Sequence, residues 1–207
     1  MPVQPQPADV LPGAPRRWRP IGGQAPTRRR QRGFTLVELM VTVAVAAVLL
    51  MIAVPSFRNI TLSNRLNTAA NDLVNAISVA RMEAVKRNAS TQFCSNSAAA
   101  NTSDTLGGAC GTESGAVWAM SGGTSSRVLV SPISLVLPVQ VSGDLTALRF
   151  TTQGQARNAL AAATAPYSGV VADICISQLS RDNHRLITMT AGSILATTTT
   201  SGDCPSS

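Results

Sequence analysis

One apolar run constrains this chain more than any other feature. It extends from Phe34 to Val54, and Glu38 is the only charged residue among its 21 positions. As an α-helix rising about 1.5 Å per residue, such a run reaches about 30 Å, the thickness of a bilayer's hydrocarbon core. A carboxylate at the centre of a membrane helix costs about 2.5 to 3.5 kcal/mol on insertion scales. An ordinary anchor explains the length and flanks of the run and leaves Glu38 without a purpose. An intramembrane charge becomes tolerable when a group of opposite sign shares its low-dielectric site. Glu38 therefore reads as a residue that awaits a partner. Pro55 follows at once, where a proline kinks a helix or is absorbed by a local adjustment.

The formal net charge of +7 suggests a nucleic-acid or membrane-surface partner until the charge is located. Before Phe34, seven arginines (Arg16, Arg17, Arg19, Arg28, Arg29, Arg30 and Arg32) stand against Asp9, a net of +6. From Phe34 onward ten basic residues face nine acidic ones, a net of +1. The basicity belongs to the leader. Residues 1–33 are rich in Pro, Gln, Gly and Arg without apolar periodicity, a composition that buries no core and reads as disordered. Basic residues before an apolar span stay on the cytoplasmic side. This is no ordinary secretory signal, because the apolar run exceeds an h-region and no small-x-small cleavage site follows it.

The stretch Gly33-Phe34-Thr35-Leu36-Val37-Glu38, between a basic leader and an apolar span closed by Pro55, resembles the cleavage and methylation motif of type IV pilins and type II secretion pseudopilins. The resemblance implies a prepilin peptidase that cuts between Gly33 and Phe34 and methylates the new N-terminus at Phe34. It implies that Glu38 pairs with the terminal amine of a neighbouring subunit while the apolar helices, ending near Pro55, bundle into a filament core. The partners so implied are the peptidase, other pilins or pseudopilins, and the inner membrane. The leader would sit in the cytoplasm and the C-terminal domain in the periplasm before the subunit enters a filament. A leader of thirty-three residues is long for that family, which leaves a start downstream of Met1 open. The cleavage reading needs only the basic residues beside Gly33.

After Pro55 the pattern becomes amphipathic. Leu66, Ala70, Leu73, Ile77, Ala80 and Ala84 recur every three or four residues, a single helical stripe. Arg58, Arg65, Asp72, Arg81, Glu83, Lys86 and Arg87 lie largely off it. The spacing predicts a helix to about Asn88. A helix lying on the membrane surface is the rival reading, disfavoured by an Ala-rich stripe without interfacial aromatics. "ARMEAVKRNAST" before Phe93-Cys94, with the later "LRFTTQGQA" and "HRLITMTAGSI", resembles the GspH/FimT branch, the H-type pseudopilins and related minor pilins.

Beyond Asn88 the helical period gives way to β-leaning segments, "AVWAM", "RVLVS", "SLVLPVQV", "LTALRFTT", "VVADICIS" and "RLITMT", separated by Gly, Ser, Asn and Pro. The expected fold class is α+β and type IV pilin-like. A long N-terminal helix, membrane span plus amphipathic half, packs on a small antiparallel β-sandwich of six or seven strands. The expected organisation is a leader at 1–33, a transmembrane half-helix at 34–54, an amphipathic half at 55–88, and a periplasmic β domain at 89–207. Trp118 reads as a core residue of the sheet. Ala98 to Gly115 and Asn158 to Ser168 read as exposed loops, the glycine pairs at 107–108 and 122–123 as turns, and "ATTTTSGDCPSS" as a tail pinned by a cysteine.

Four cysteines allow three connectivities. All lie beyond the span, in what the resemblance makes an oxidising periplasm, where disulfides persist. Closure between neighbours, Cys94–Cys110 and Cys175–Cys204, is preferred. Zinc ligation is the alternative, although the chain holds no C-x2-C pair. No metal and no cofactor are expected. His184, the one histidine, reads as an exposed loop or strand-end residue. No G-x-S-x-G context or P-loop appears, so an enzyme is not expected.

The leading function is structural, a minor pilin or H-type pseudopilin near the tip of a type IV pilus or type II secretion pseudopilus. The motif is common to both machines, and the paired cysteines and Thr-rich tail lean towards a minor pilin. The alternative is a DNA-binding minor pilin for natural transformation. DNA receptors of this branch resemble one another in a C-terminal Gly-Arg-x-Arg element. The matching place here reads Gly192-Ser193-Ile194-Leu195 and lacks both arginines. Arg181 and Arg185, with Asp182 between them, are the remaining DNA-contact candidates, a poor substitute for clustered, uncompensated charge.

Overall fold

The computed structural model describes residues 33–101, 104–160 and 164–205. The leader at 1–32 lies outside them. The chain divides into two compact units between Ala44 and Val45.

Helix α1, Leu36–Arg87, has 52 residues and continues through Pro55. Its start is capped by sequence. Thr35 Oγ1 accepts a hydrogen bond from the Glu38 backbone N–H at 3.2 Å, the Thr-x-x-Glu pattern of a capping box. Its end is equally specified. Asn88 takes a left-handed φ of 48°, and its N–H donates to Val85 O while that of Ala89 donates to Ala84 O. Those two bonds make a Schellman motif, with Lys86 and Arg87 in the last turn complementing the helix dipole. All six residues of the expected stripe are buried, joined by Leu62, Ala69 and Ala76.

Among the described residues nine strands follow in two antiparallel sheets. The first contains β1 (Thr91–Phe93), β2 (Val117–Ser121), β3 (Thr124–Leu129), β5 (Leu148–Phe150) and β6 (Ala156–Asn158), in the order β3-β2-β1-β5-β6. The second contains β4 (Gln140–Val141), β7 (Gly169–Cys175), β8 (His184–Thr190) and β9 (Ile194–Thr200), in sequence order. One core joins the helix stripe to both sheets, with Phe93, Val117, Leu148 and Phe150 from the first and Ala172, Ile174, Ile187 and Met189 from the second. Aromatic residues are only 3% of the chain, so the fully buried Phe93 and Phe150 are flanked mainly by Leu, Ile and Ala. Small helix alanines let the sheets approach closely, and branched aliphatics supply the apolar area.

Several expectations need correction. Residues 134–139 of "SLVLPVQV" form turns rather than strand, and only Gln140 and Val141 pair. The supposed tail begins as strand, since Ala196 to Thr200 belong to β9, in register with β8 from His184↔Thr200 to Thr190↔Ile194. Its β-branched threonines suit an edge strand, a signal masked by their polarity. The supposed loop 98–115 contains a 3-10 turn at Ala98–Ala100 and helix α2 at Thr105–Cys110. Gly107 and Gly108 are therefore helical, whereas Gly122 and Gly123 do form a turn with positive φ. Trp118 is only half-buried. It points away from the main core against Cys94, Cys110 and Ala116, and the Arg127 guanidinium lies 4.9 Å from its ring centroid.

Candidate functional site

Three places hold the residues that the sequence singles out, and the helix start is the first. Gly33, Phe34 and Thr35 precede the helix in non-helical backbone. A Cβ added at Gly33 would meet no atom within 4 Å. No described residue demands a glycine there, so the demand would come from whatever reads the site. Phe34 is 73% exposed. Glu38 lies in the first helical turn, where unpaired backbone N–H groups favour a negative charge. From Phe34 through Phe57 and Ile60 the large apolar side chains of the helix are all exposed. In water that surface exceeds what a soluble monomer tolerates. The helix is long and apolar enough to cross a membrane. Within the apolar run Thr42 Oγ1 donates to Leu39 O at 2.9 Å, the internal satisfaction that hydrocarbon surroundings require.

The second place is the pair of cystines. Cys94 and Cys110 are bonded with Cα atoms 5.5 Å apart, and Cys175 and Cys204 with Cα atoms 5.8 Å apart. The first closes a segment organised around buried Asn101. Its side-chain amide donates to Ser95 O, Ser97 O and Gly111 O, and its oxygen accepts from Gln92 Nε2 and Ser95 N. Asp104 caps α2 through Gly107 N at 2.9 Å and pairs with Arg149 at 2.8 Å. The second disulfide fastens the end of the chain over β8. Asn183 donates to Gly202 O and accepts from Gly202 N. Beneath that end His184 is buried, contrary to the exposed position expected of it, and its Nδ1 faces Asp173 Oδ1 at 2.9 Å.

The third place is the pair of DNA-contact candidates. The structure does not bring them together. Arg181 is exposed, whereas Arg185 is 6% exposed. The Arg185 guanidinium donates to Asn67 Oδ1 and to the carbonyls of Asp182 and His184. Burial pulls its pKa below the ordinary arginine value, and the nearby Asp182 charge offsets part of that. Arg185 is thus a clamp between β8 and α1, a role that a sequence reading of charge alone misses. Gly192 occupies the β8–β9 turn with φ +66°, and a Cβ there would lie 2.6 Å from Ala156 O. The turn's glycine is demanded by the fold.

Two family models match the chain. The prokaryotic N-terminal methylation motif covers residues 28–54, the basic residues beside Gly33 together with the apolar run. The type II transport protein GspH model covers residues 69–192, more than half of the chain. No curated protein and no solved structure is significantly similar to it. The long helix on antiparallel sheets is the α+β, type IV pilin-like fold, and GspH proteins are structural pseudopilins. With the methylation motif at the helix start and the GspH match across helix and both sheets, the chain belongs to the type II transport protein GspH family, in the GspH/FimT branch of type IV pilin-like proteins.

Proposed function

We propose that this protein is a structural subunit, a minor pilin or pseudopilin, processed between Gly33 and Phe34 and assembled near the tip of a type IV pilus or type II secretion pseudopilus. The observation that carries the reading is the helix start, where an uncrowded Gly33 and exposed Phe34 precede a capped turn holding Glu38. Cleavage creates a cationic amine at Phe34. An isolated positive charge at a helix N-terminus opposes the dipole there, so it gains from a carboxylate supplied by a neighbour. Glu38 is that carboxylate, and pairing removes the cost of both charges in the low-dielectric bundle. Helices that fail to align leave the two groups apart, so the pair sets register. Before assembly the subunit spans the inner membrane once, with leader inside and β domain in the periplasm.

The DNA-receptor alternative gains no comparable support. Arg185 is committed within the fold, and the turn at 192–195 carries no arginine.

Mass spectrometry of the protein recovered from membranes tests the processing step. The expected product begins at N-methylated Phe34, and Gly33→Leu leaves an uncut, membrane-bound precursor. A mature filament subunit that retains residues ahead of Phe34 would refute the reading.

A further inference from the structure

The segment 130–138, "VSPISLVLP", is as apolar as a buried strand, yet the described residues leave it uncovered. Ile133 is 87% and Leu137 68% exposed, with Val130 and Val136 outside as well. The segment is nevertheless fixed. Ser131 Oγ donates to Ser114 O, and Ser134 Oγ donates to Asp72 on the helix. Backbone bonds close Leu135 N to Pro132 O and Val139 N to Val136 O, and Val139 is buried in the core. A held backbone that turns four large aliphatic side chains outward makes a patch that none of the described residues covers.

A helix face runs beside that patch. Phe57, Thr61, Asn64, Thr68, Asp72 and Asn75 recur every three or four residues and so share one face of α1. Thr61, Asn64 and Thr68 floor a groove of about 510 Å³ walled by Val136, Leu137 and Pro138. Asp72 and Asn75 floor a second groove of about 290 Å³ walled by Val130, Pro132 and Ile133. Towards the N-terminus the same face continues through Phe57 and Val54 to Leu50, all exposed. The grooves extend the apolar helix surface rather than standing apart from it.

We propose that these grooves receive the apolar N-terminal helix of a neighbouring pilin-like subunit. The inference rests on the assembly reading above and names the surface of the β domain that takes part in it. Continuity argues for this occupant, since a helix packed along Leu50 and Phe57 would meet Val136 and Leu137 next. Charge argues for it too. Arg65 lines the first groove and has no ion-pair partner among the described residues. It repels a basic partner and tolerates an apolar span such as 39–54, which carries no charged side chain. A lipid surface fits less well, because covering Leu137 and Ile133 with hydrocarbon would draw Arg65 and Asp72 toward it, at the cost that charged groups meet there.

Photo-crosslinking in cells that assemble filaments tests the proposal on the full-length chain. A benzophenone amino acid is placed at Leu137, with a control at exposed Thr197 on β9. The Leu137 probe should link to a pilin-like subunit within its apolar helix, and the Thr197 probe should give no such product. Links from Leu137 to lipid or to a partner's β domain, or no link in filaments that contain the protein, would overturn it. As a second measurement, Ile133→Asp with Leu137→Asp should lower incorporation several-fold while both disulfides still form and membrane levels hold. Normal incorporation of that variant refutes the groove and leaves the role of Glu38 standing. Absence of the unsubstituted chain from filaments removes the assembly reading and the groove together.

Discussion

Arg181 and Arg185 are four residues apart and chemically identical, yet they perform different work. Arg185 is buried and donates to Asn67 and two backbone carbonyls, so its removal takes a donor from the buried His184 carbonyl and unties β8 from α1. Arg185→Ala should destabilise the fold by about 1 to 3 kcal/mol, the cost of leaving buried polar groups unsatisfied. Arg181→Ala, at an exposed site, should stay within about 0.5 kcal/mol. Urea unfolding measures both. A DNA receptor would behave differently, with both substitutions weakening duplex binding in a gel shift and neither altering stability. At this scale the sequence is a poor guide. It displays two arginines around Asp182 and cannot display which one a helix asparagine reaches 118 positions away. His184 misleads for the same reason, since its burial follows from a chain end folded back by Cys204.

Elements were legible where their hydrophobic period was unbroken. The stripe from Leu66 to Ala84 marks the face of α1 that the sheets cover, because 3.6 residues per turn leave few alternatives. The strands β2, β5, β7 and β8 fall within segments that read as strands, with bounds moved by a few residues. Elsewhere elements escaped, β6 among them. Helix α2 is six residues with two glycines, held by the Asp104 cap and the Cys110 cystine rather than by propensity. Strand β9 is mostly threonine and has no buried residue, so it lacks the alternation that reveals a half-buried strand. The turns at 134–139 carry a strand-like apolar run, and that mismatch points to the proposed groove. Gly192 offers an element-scale test of the β8–β9 turn. Gly192→Ala should cost more than about 1 kcal/mol, because its φ is positive and a Cβ would press on Ala156 O. Gly108→Ala in α2, with open space around it, should be neutral or stabilising by about 0.4 to 1 kcal/mol. Thermal melts of the two variants separate the cases.

The whole molecule joins two surfaces with opposite demands. Its β domain is closed by a main core and two cystines, while the first part of α1 exposes nearly every apolar side chain it has. A membrane or a bundle of like helices satisfies that exposure, and only the proposed bundle would give Glu38 a partner. On the proposed function Glu38 serves assembly rather than insertion. The direct measurement compares wild type and Glu38→Val for the amount in membranes and in sheared filaments. The expected result is equal or greater membrane levels, because a buried charge is removed, together with a several-fold loss from filaments. Normal filament content of the valine variant would contradict it.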